Sequence, residues 1–280
     1  MNGAELFLAL LKQEGVSVIF GNPGTTELPL MDALAAEPDI RYVLALQEAV
    51  ALAMADGYAR ASGRLGVVNL HAAPGLGNAF GMLYDAQKAG APLLVTAGQQ
   101  AQGFGLMEPN LYAELPPLAT PLVKWATEVR SANDLPRIIH RAAKTALAPP
   151  TGPVFVSLPT DVMLDETSVP PGAPSRVAPR FRADSAAVEQ AAALLAAADR
   201  PVIIAGDAIS QSHAHRELVQ LAELIGAPVY VEGESNSNGF PTSHPLFAGH
   251  LVRAARVIRG VLDRHDLLFS AGADLFTLSL

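Results

Sequence analysis

The sequence predicts a doubly wound α/β fold on a parallel sheet, and three observations carry that prediction. Short runs such as residues 65–70 and 154–158 are apolar along almost their whole length, as strands covered on both faces must be. Segments with apolar residues at helical spacing separate these runs. Loops rich in Gly, Pro and Asn follow several strands, where open parallel sheets place their ligands.

The elements follow in order. Residues 4–14 set Leu6, Leu8, Leu10 and Leu11 among polar side chains and read as an amphipathic helix. Residues 16–20 read as a strand that stops at Gly21-Asn22-Pro23-Gly24. Thr25 or Thr26 then caps a helix over 28–35. A strand over 41–46 precedes a helix over 48–62. The pattern repeats with a strand at 65–70, a Gly-rich turn at 71–78 and a helix at 79–88. A strand at 92–97, a helix at 135–148 and a strand at 154–158 close the first unit, expected to span residues 1–164.

Residues 165–184 hold four prolines and few apolar side chains, and read as a linker. A second α/β unit is expected over 185–280, with helices at 185–197 and 213–225 and strands at 201–205, 228–231 and 266–270. It stops in the middle of a strand-loop pattern and reads as partial.

Composition narrows the function. Half of the 280 residues are hydrophobic, 16% are charged and the net charge is -8, which speaks against a nucleic-acid surface and for a small-molecule enzyme. Without cysteine, the chain has no disulfide, thiolate metal site or thiol nucleophile. The N-terminus lacks a signal-peptide pattern, and no apolar run approaches the roughly 20 residues that cross a bilayer. No membrane contact and a cytoplasmic location are expected.

Three places carry candidate chemistry. The loop Gly21-Asn22-Pro23-Gly24-Thr25-Thr26-Glu27 lies at a strand's C-terminal end. Glu48 heads a helix whose Ala51, Leu52 and Ala55 share its face, so its carboxylate is expected to be partly buried. His71 opens the third, His71-Ala72-Ala73-Pro74-Gly75-Leu76-Gly77-Asn78, again after a strand. Asp56 and Arg60, four residues apart, read as a surface ion pair. Gly75, Gly77 and Gly81 loosely imitate a dinucleotide fingerprint. The following strand ends Thr96-Ala97-Gly98-Gln99-Gln100, without the acid that holds a ribose, so a nicotinamide-dependent dehydrogenase is disfavoured. The chain has no GxxxxGK[ST], GxSxG or HExxH.

Taken together, Phe20-Gly21-Asn22-Pro23-Gly24, Leu44-Ala45-Leu46-Gln47-Glu48-Ala49, Ala55-Asp56-Gly57-Tyr58-Ala59-Arg60-Ala61-Ser62, Asn69-Leu70-His71, Val95-Thr96-Ala97-Gly98-Gln99-Gln100 and Pro121-Leu122-Val123-Lys124-Trp125 are specific in order and spacing. They resemble the N-terminal pyrimidine-binding domain of thiamine-diphosphate-dependent enzymes of the acetolactate synthase and pyruvate decarboxylase superfamily, benzoylformate decarboxylase most of all. The likeness spans Gly3 to about Asp161. The second unit resembles the central domain more loosely, through residues 201–206 and 244–249.

The resemblance implies thiamine diphosphate as cofactor and non-oxidative decarboxylation of a 2-oxo acid. Glu48 takes the place of the glutamate that bonds the aminopyrimidine ring and activates the thiazolium carbon. Pro23 and Gly24 lie against the pyrimidine, Asn78 stands close by, and His71 moves protons near the substrate carbonyl. Thr25 stands where benzoylformate decarboxylase has a serine on the substrate carboxylate. Ala72 follows His71, where pyruvate decarboxylase has paired histidines.

In this superfamily Mg²⁺ holds the diphosphate through a C-terminal domain with a Gly-Asp-Gly opening, which these residues do not include. The chain itself is expected to bind no metal and to be inactive alone, as a fragment or one component of a split enzyme. A homodimer, a homotetramer or a separate diphosphate-binding subunit is implied. The alternatives are acetolactate-synthase-like carboligation and a catalytically silent binding or regulatory chain.

Overall fold

The computed structural model describes residues 1–178, 182–233 and 235–275. The chain divides into two compact units, Met1–Pro179 and Arg180–Leu280.

The first unit begins with helix α1 (Gly3–Gln13), started by a capping box in which the Asn2 side chain accepts from the Glu5 N–H and the Glu5 carboxylate accepts from the Asn2 N–H. Then come β1 (Val18–Gly21), α2 (Leu28–Ala35), β2 (Arg41–Leu44), α3 (Glu48–Ser62), β3 (Gly66–Leu70), α4 (Ala72–Ala89) and β4 (Leu93–Gln99). Helix α5 (Leu115–Ala119), β5 (Ala126–Glu128), α6 (Leu135–Leu147), β6 (Val154–Pro159) and α7 (Thr160–Leu164) complete it. All six strands are parallel, in the order β2-β1-β3-β4-β6-β5.

The strand period of two sends alternate residues to opposite faces. Val67, Leu94, Val154 and Val156 join Phe7 and Leu10 of α1 and Ile139 of α6 in one core. Val68, Val95 and Phe155 join Leu52 of α3 and Leu76 and Leu83 of α4 in the other. Each such buried side chain stabilises the fold by about 1.5–3 kcal/mol relative to exposure. Helices cover both faces, as the continuous apolar strands predict.

The ends of the expected strands and helices shift by a residue or two, α5, α7 and the later helices Asp207–Gln211 and Ala255–Leu262 were not expected, and other differences bear on the site. The expected Gly-rich turn at 71–78 is helix: His71 is the N-cap of α4, and Gly75, Gly77 and Asn78 lie inside it. Gly75 packs closely against the Glu48 side chain of α3, whereas Gly77 faces open space. The short edge strand β5 has only three residues, too few to show a period. Asp56 is buried, not at the surface, although its 2.7 Å pair with Arg60 forms as expected. The helix turns its Asp56 face toward the core.

The segment after α7 adheres to the first unit. Gly3 donates to the Asp165 carbonyl, Thr167 bonds the Met1 carbonyl and the Asn133 side chain, and Arg176 pairs with Glu14.

The second unit runs α8 (Ser185–Ala197), β7 (Pro201–Ala205), α9 (Asp207–Gln211), α10 (His215–Ile225), β8 (Val229–Val231), β9 (Phe247–His250), α11 (Ala255–Leu262) and β10 (Leu267–Ala271). Its four strands are also parallel, ordered β10-β7-β8-β9, around Ile203, Leu218, Val229 and Phe240. Strand β9 was not legible in sequence because a register shift at Val229/Tyr230 and the positive φ of Gly249 interrupt its pattern.

Candidate functional site

In the six-stranded sheet the chain leaves β1 toward β2 on one side and returns to β3 on the other. The carboxyl ends of β1 and β3 therefore flank a topological switch point, where such sheets bind ligands. Three segments meet there: residues 22–27 after β1, His71 after β3, and Gly98 near the end of strand β4.

Their meeting point is Glu27, only 2% exposed. Its Oε2 accepts from the Gly24 N–H at 2.8 Å and lies 2.8 Å from His71 Nδ1. Its Oε1 accepts from Thr26 Oγ1 at 2.7 Å and from the Gly98 N–H at 2.8 Å. Thr26 Oγ1 is also 3.2 Å from His71 Nδ1. Four donors converging on one carboxylate suit the acceptor-only, ionised form. Nδ1 of His71 then carries hydrogen, and Nε2 is left as the nitrogen able to take a proton. Glycine is required at 98, because a Cβ would overlap the Glu27 carboxylate, and at 24, where it would overlap the His71 ring.

Glu27's negative charge reaches Tyr42, whose phenol is pushed up first by burial and then by that charge. Tyr42 donates to Asn69 Oδ1 at 3.4 Å, Asn69 to Thr96 Oγ1 at 3.2 Å, and Thr96 to the Val68 carbonyl at 3.1 Å. This polar chain is satisfied within the sheet, as buried polar groups must be.

Glu48 forms the second focus. It is the first residue of α3, whose N-cap Gln47 accepts from the Val50 N–H. The side chains of Ala51, Leu52 and Ala55 on its face are fully buried, and Glu48 itself is 8% exposed. Its Oε2 accepts from Asn78 Nδ2 at 3.1 Å. Its Oε1 lies against the bare Cα of Gly75, where a Cβ would stand 3.3 Å away. One hydrogen bond leaves the carboxylate with acceptor capacity for a ligand N–H.

Helix α4 joins the two foci. It carries His71 at its cap and Gly75 and Asn78 in its first two turns, and the Gly75 N–H donates to the His71 carbonyl. Ala72, between them, holds φ at +46°, a left-handed conformation that costs an alanine about 1–2 kcal/mol. The structure thus gathers Gly24 and His71 into one cluster and Glu48 and Asn78 into the other. Pro23 lies on the loop at the rim, half-buried, and Thr25 is exposed on the short 3₁₀ turn Thr25–Glu27.

Sequence reading missed Glu27 and Thr26. Glu27 stands three residues after Gly24 in capping-box spacing, a signal for a helix start and not for a buried site. Its burial depends on Gly98, 71 residues later. Among the described residues no group of three or more His, Asp or Glu side chains is placed to hold a metal, and no helix is long and apolar enough to cross a membrane.

A doubly wound α/β domain with a buried carboxylate at its switch point and a second at the head of α3 has the form of a ligand-binding domain. Comparison with known families makes this specific. Residues 1–106 match the thiamine pyrophosphate enzyme N-terminal TPP-binding domain, and residues 188–279 match the thiamine pyrophosphate enzyme central domain. Benzoylformate decarboxylase of Pseudomonas aeruginosa is 38% identical over 274 residues, covering 95% of this chain and 51% of that protein. Acetolactate synthase of Mycobacterium bovis is 34% identical over 283 residues, covering 97% of this chain and 44% of that protein. The solved 4-hydroxybenzoylformate decarboxylase of Rhodococcus jostii aligns with a TM-score of 0.93 at 36% identity, covering 100% of this chain and 53% of that one. The chain belongs to the thiamine-diphosphate-dependent enzymes. It spans about half the length of the curated relatives it matches.

Proposed function

We propose that this chain supplies the cofactor-activating part of a thiamine-diphosphate-dependent decarboxylase acting on an aromatic or branched 2-oxo acid. The observation that carries the proposal is the Glu48 carboxylate, almost dry, fixed by Asn78 and lying against a bare glycine at the head of α3. A carboxylate shielded from water makes a stronger hydrogen bond to a ring nitrogen than one in bulk solvent. The residues suit the aminopyrimidine: Glu48 would hold it, with Pro23, Gly24 and Asn78 beside it. When bound, the cofactor supplies the nucleophilic carbon and the electron sink for loss of carbon dioxide.

The remaining roles belong to this chain. Glu48 accepts and returns a proton at its carboxylate. Glu27 keeps hydrogen on His71 Nδ1, so that Nε2 can give or take a proton beside the substrate carbonyl. The Thr25 hydroxyl, exposed on the neighbouring loop, serves the substrate carboxylate. Mg²⁺ and the diphosphate would be held by residues other than these. A second subunit is a further element of the proposal. Leu46 and Leu106 are 92% and 97% exposed, and Leu44, Val50 and Met107 are exposed too, large apolar side chains that a protein partner would cover.

Similarity to acetolactate synthase favours carboligation as the second reading. Product analysis separates the two, with thiamine diphosphate, Mg²⁺ and the diphosphate-binding part present. Benzaldehyde from benzoylformate supports the decarboxylase. Acetolactate from pyruvate, with benzoylformate untouched, supports the alternative.

A further inference from the structure

Two threonines stand side by side on the turn before α2, in opposite surroundings. Thr25 is exposed, whereas Thr26 is buried and turns its hydroxyl into the Glu27–His71 pair. Thr26 Oγ1 lies 2.7 Å from Glu27 Oε1 and 3.2 Å from His71 Nδ1.

These distances fix the hydrogens. A hydroxyl has one hydrogen and two lone pairs, and an ionised carboxylate only accepts. The Thr26 hydrogen therefore goes to Oε1, and a lone pair is left toward the ring. Nδ1 lies 2.8 Å from the other carboxylate oxygen and carries hydrogen for the same reason. That N–H meets two acceptors, Glu27 Oε2 and, at the longer distance, Thr26 Oγ1. Carboxylate, hydroxyl and imidazole close a ring of three hydrogen bonds.

The other two donors to Glu27 are the backbone N–H groups of Gly24 and Gly98. They tie the carboxylate to the backbone and do not touch the imidazole nitrogen. Thr26 bonds both partners of the pair. Gly98 lies close over it: a Cβ there would stand 2.6 Å from Thr26 Oγ1, so the bare glycine is what admits the hydroxyl.

We infer that Thr26 is a positioning residue for His71. Its hydroxyl turns the Glu27 carboxylate so that Oε2 faces the ring, and it gives the Nδ1–H a second acceptor. The tautomer of a neutral imidazole is set by the bond that one of its nitrogens makes. With hydrogen held on Nδ1 by two acceptors, Nε2 stays the basic nitrogen. The effect of Thr26 on turnover rests on the proton-transfer role proposed above for His71; its effect on the ring does not. A threonine that only filled space would change stability on substitution and leave the tautomer alone.

The test compares Thr26→Ala and Thr26→Ser with the parent. Serine keeps the hydroxyl and loses the methyl group, and alanine loses both, so the hydroxyl is separated from packing. Long-range ¹H–¹⁵N NMR on the 280-residue chain reads both ring nitrogens of His71 with the ring neutral. In the parent and in Thr26→Ser the hydrogen sits on Nδ1. In Thr26→Ala the Nε2–H tautomer gains about tenfold on the Nδ1–H form, the size of one lost hydrogen bond. In the assembled enzyme, with thiamine diphosphate, Mg²⁺ and the diphosphate-binding part present, kcat falls by a similar factor at unchanged KM, and serine restores it. Should the alanine variant not fold, Thr26→Val keeps the shape and reads the same loss. A tautomer unchanged without the hydroxyl overturns the inference, as does a serine variant that behaves like alanine. A shifted tautomer with parent turnover would contradict the role given to His71, while the positioning of its ring by Thr26 stands.

Discussion

Nδ1 of His71 lies 2.8 Å from a carboxylate oxygen of Glu27, a residue 44 positions earlier in the chain. The pair couples the loop after β1 to the cap of α4. It gives the histidine a fixed tautomer, which a solvent-exposed imidazole lacks. If Nε2 is the group that exchanges protons with the substrate, Glu27 is the residue that makes it available.

Glu27→Gln tests that coupling. The amide keeps the shape but places an NH₂ group against one of the backbone N–H donors of Gly24 and Gly98. A clash of donors in a buried site costs about 1–3 kcal/mol, measured by chemical denaturation. The turnover rate falls about 10²–10⁴-fold, the usual range for lost general acid–base assistance. Turnover near the parent level would show that His71 does not depend on Glu27.

Gly75→Ala separates stability from activity. Alanine is favoured over glycine inside a helix by about 1 kcal/mol, so the melting temperature should hold or rise. The new Cβ stands 3.3 Å from Glu48 Oε1 and shifts the carboxylate by a few tenths of an ångström. Turnover should therefore fall while the fold does not weaken. A less stable but fully active variant would contradict this account of Glu48's packing.

Asp56 predicts a pH dependence of stability. Burial pushes its carboxyl up, the Arg60 guanidinium pulls it down, and Asp85 adds a smaller upward push. Its Oδ1 is buried without a hydrogen-bond partner. A folded-state value above the unfolded one means that the unfolded chain gives up the proton first. The contribution is therefore fully present below the ordinary carboxylate value of about 4 and is lost as pH rises through the folded value. Asp56→Asn removes this loss. Denaturation midpoints between pH 4 and 7 should show the variant gaining on the parent as pH rises; parallel curves would contradict the assignment.

What the sequence made legible was the part fixed by local pattern. Helix α3 appears over Glu48–Ser62 as its apolar face requires, and strand β7 appears at Pro201–Ala205. Glu48 was visible because it heads a helix with an apolar face, and His71 because it follows a strand. The start of α4 was not, since glycine at 75 and 77 signals a turn, and the packing of Gly75 against Glu48 comes from a distant helix. Glu27 was hidden for a related reason. Nothing within three residues of it shows that Gly98, from a distant strand, closes over its carboxylate.

The central claim is that the Glu48 carboxylate activates the cofactor, and Glu48→Gln tests it most directly. The variant is compared with the parent in the assembled enzyme, with thiamine diphosphate, Mg²⁺ and the diphosphate-binding part present. The measured quantity is the rate of deuterium exchange at the thiazolium carbon, which needs no substrate. The account predicts exchange slower by about 10²–10⁴-fold, with His71 and Glu27 untouched. Exchange at the parent rate would contradict it.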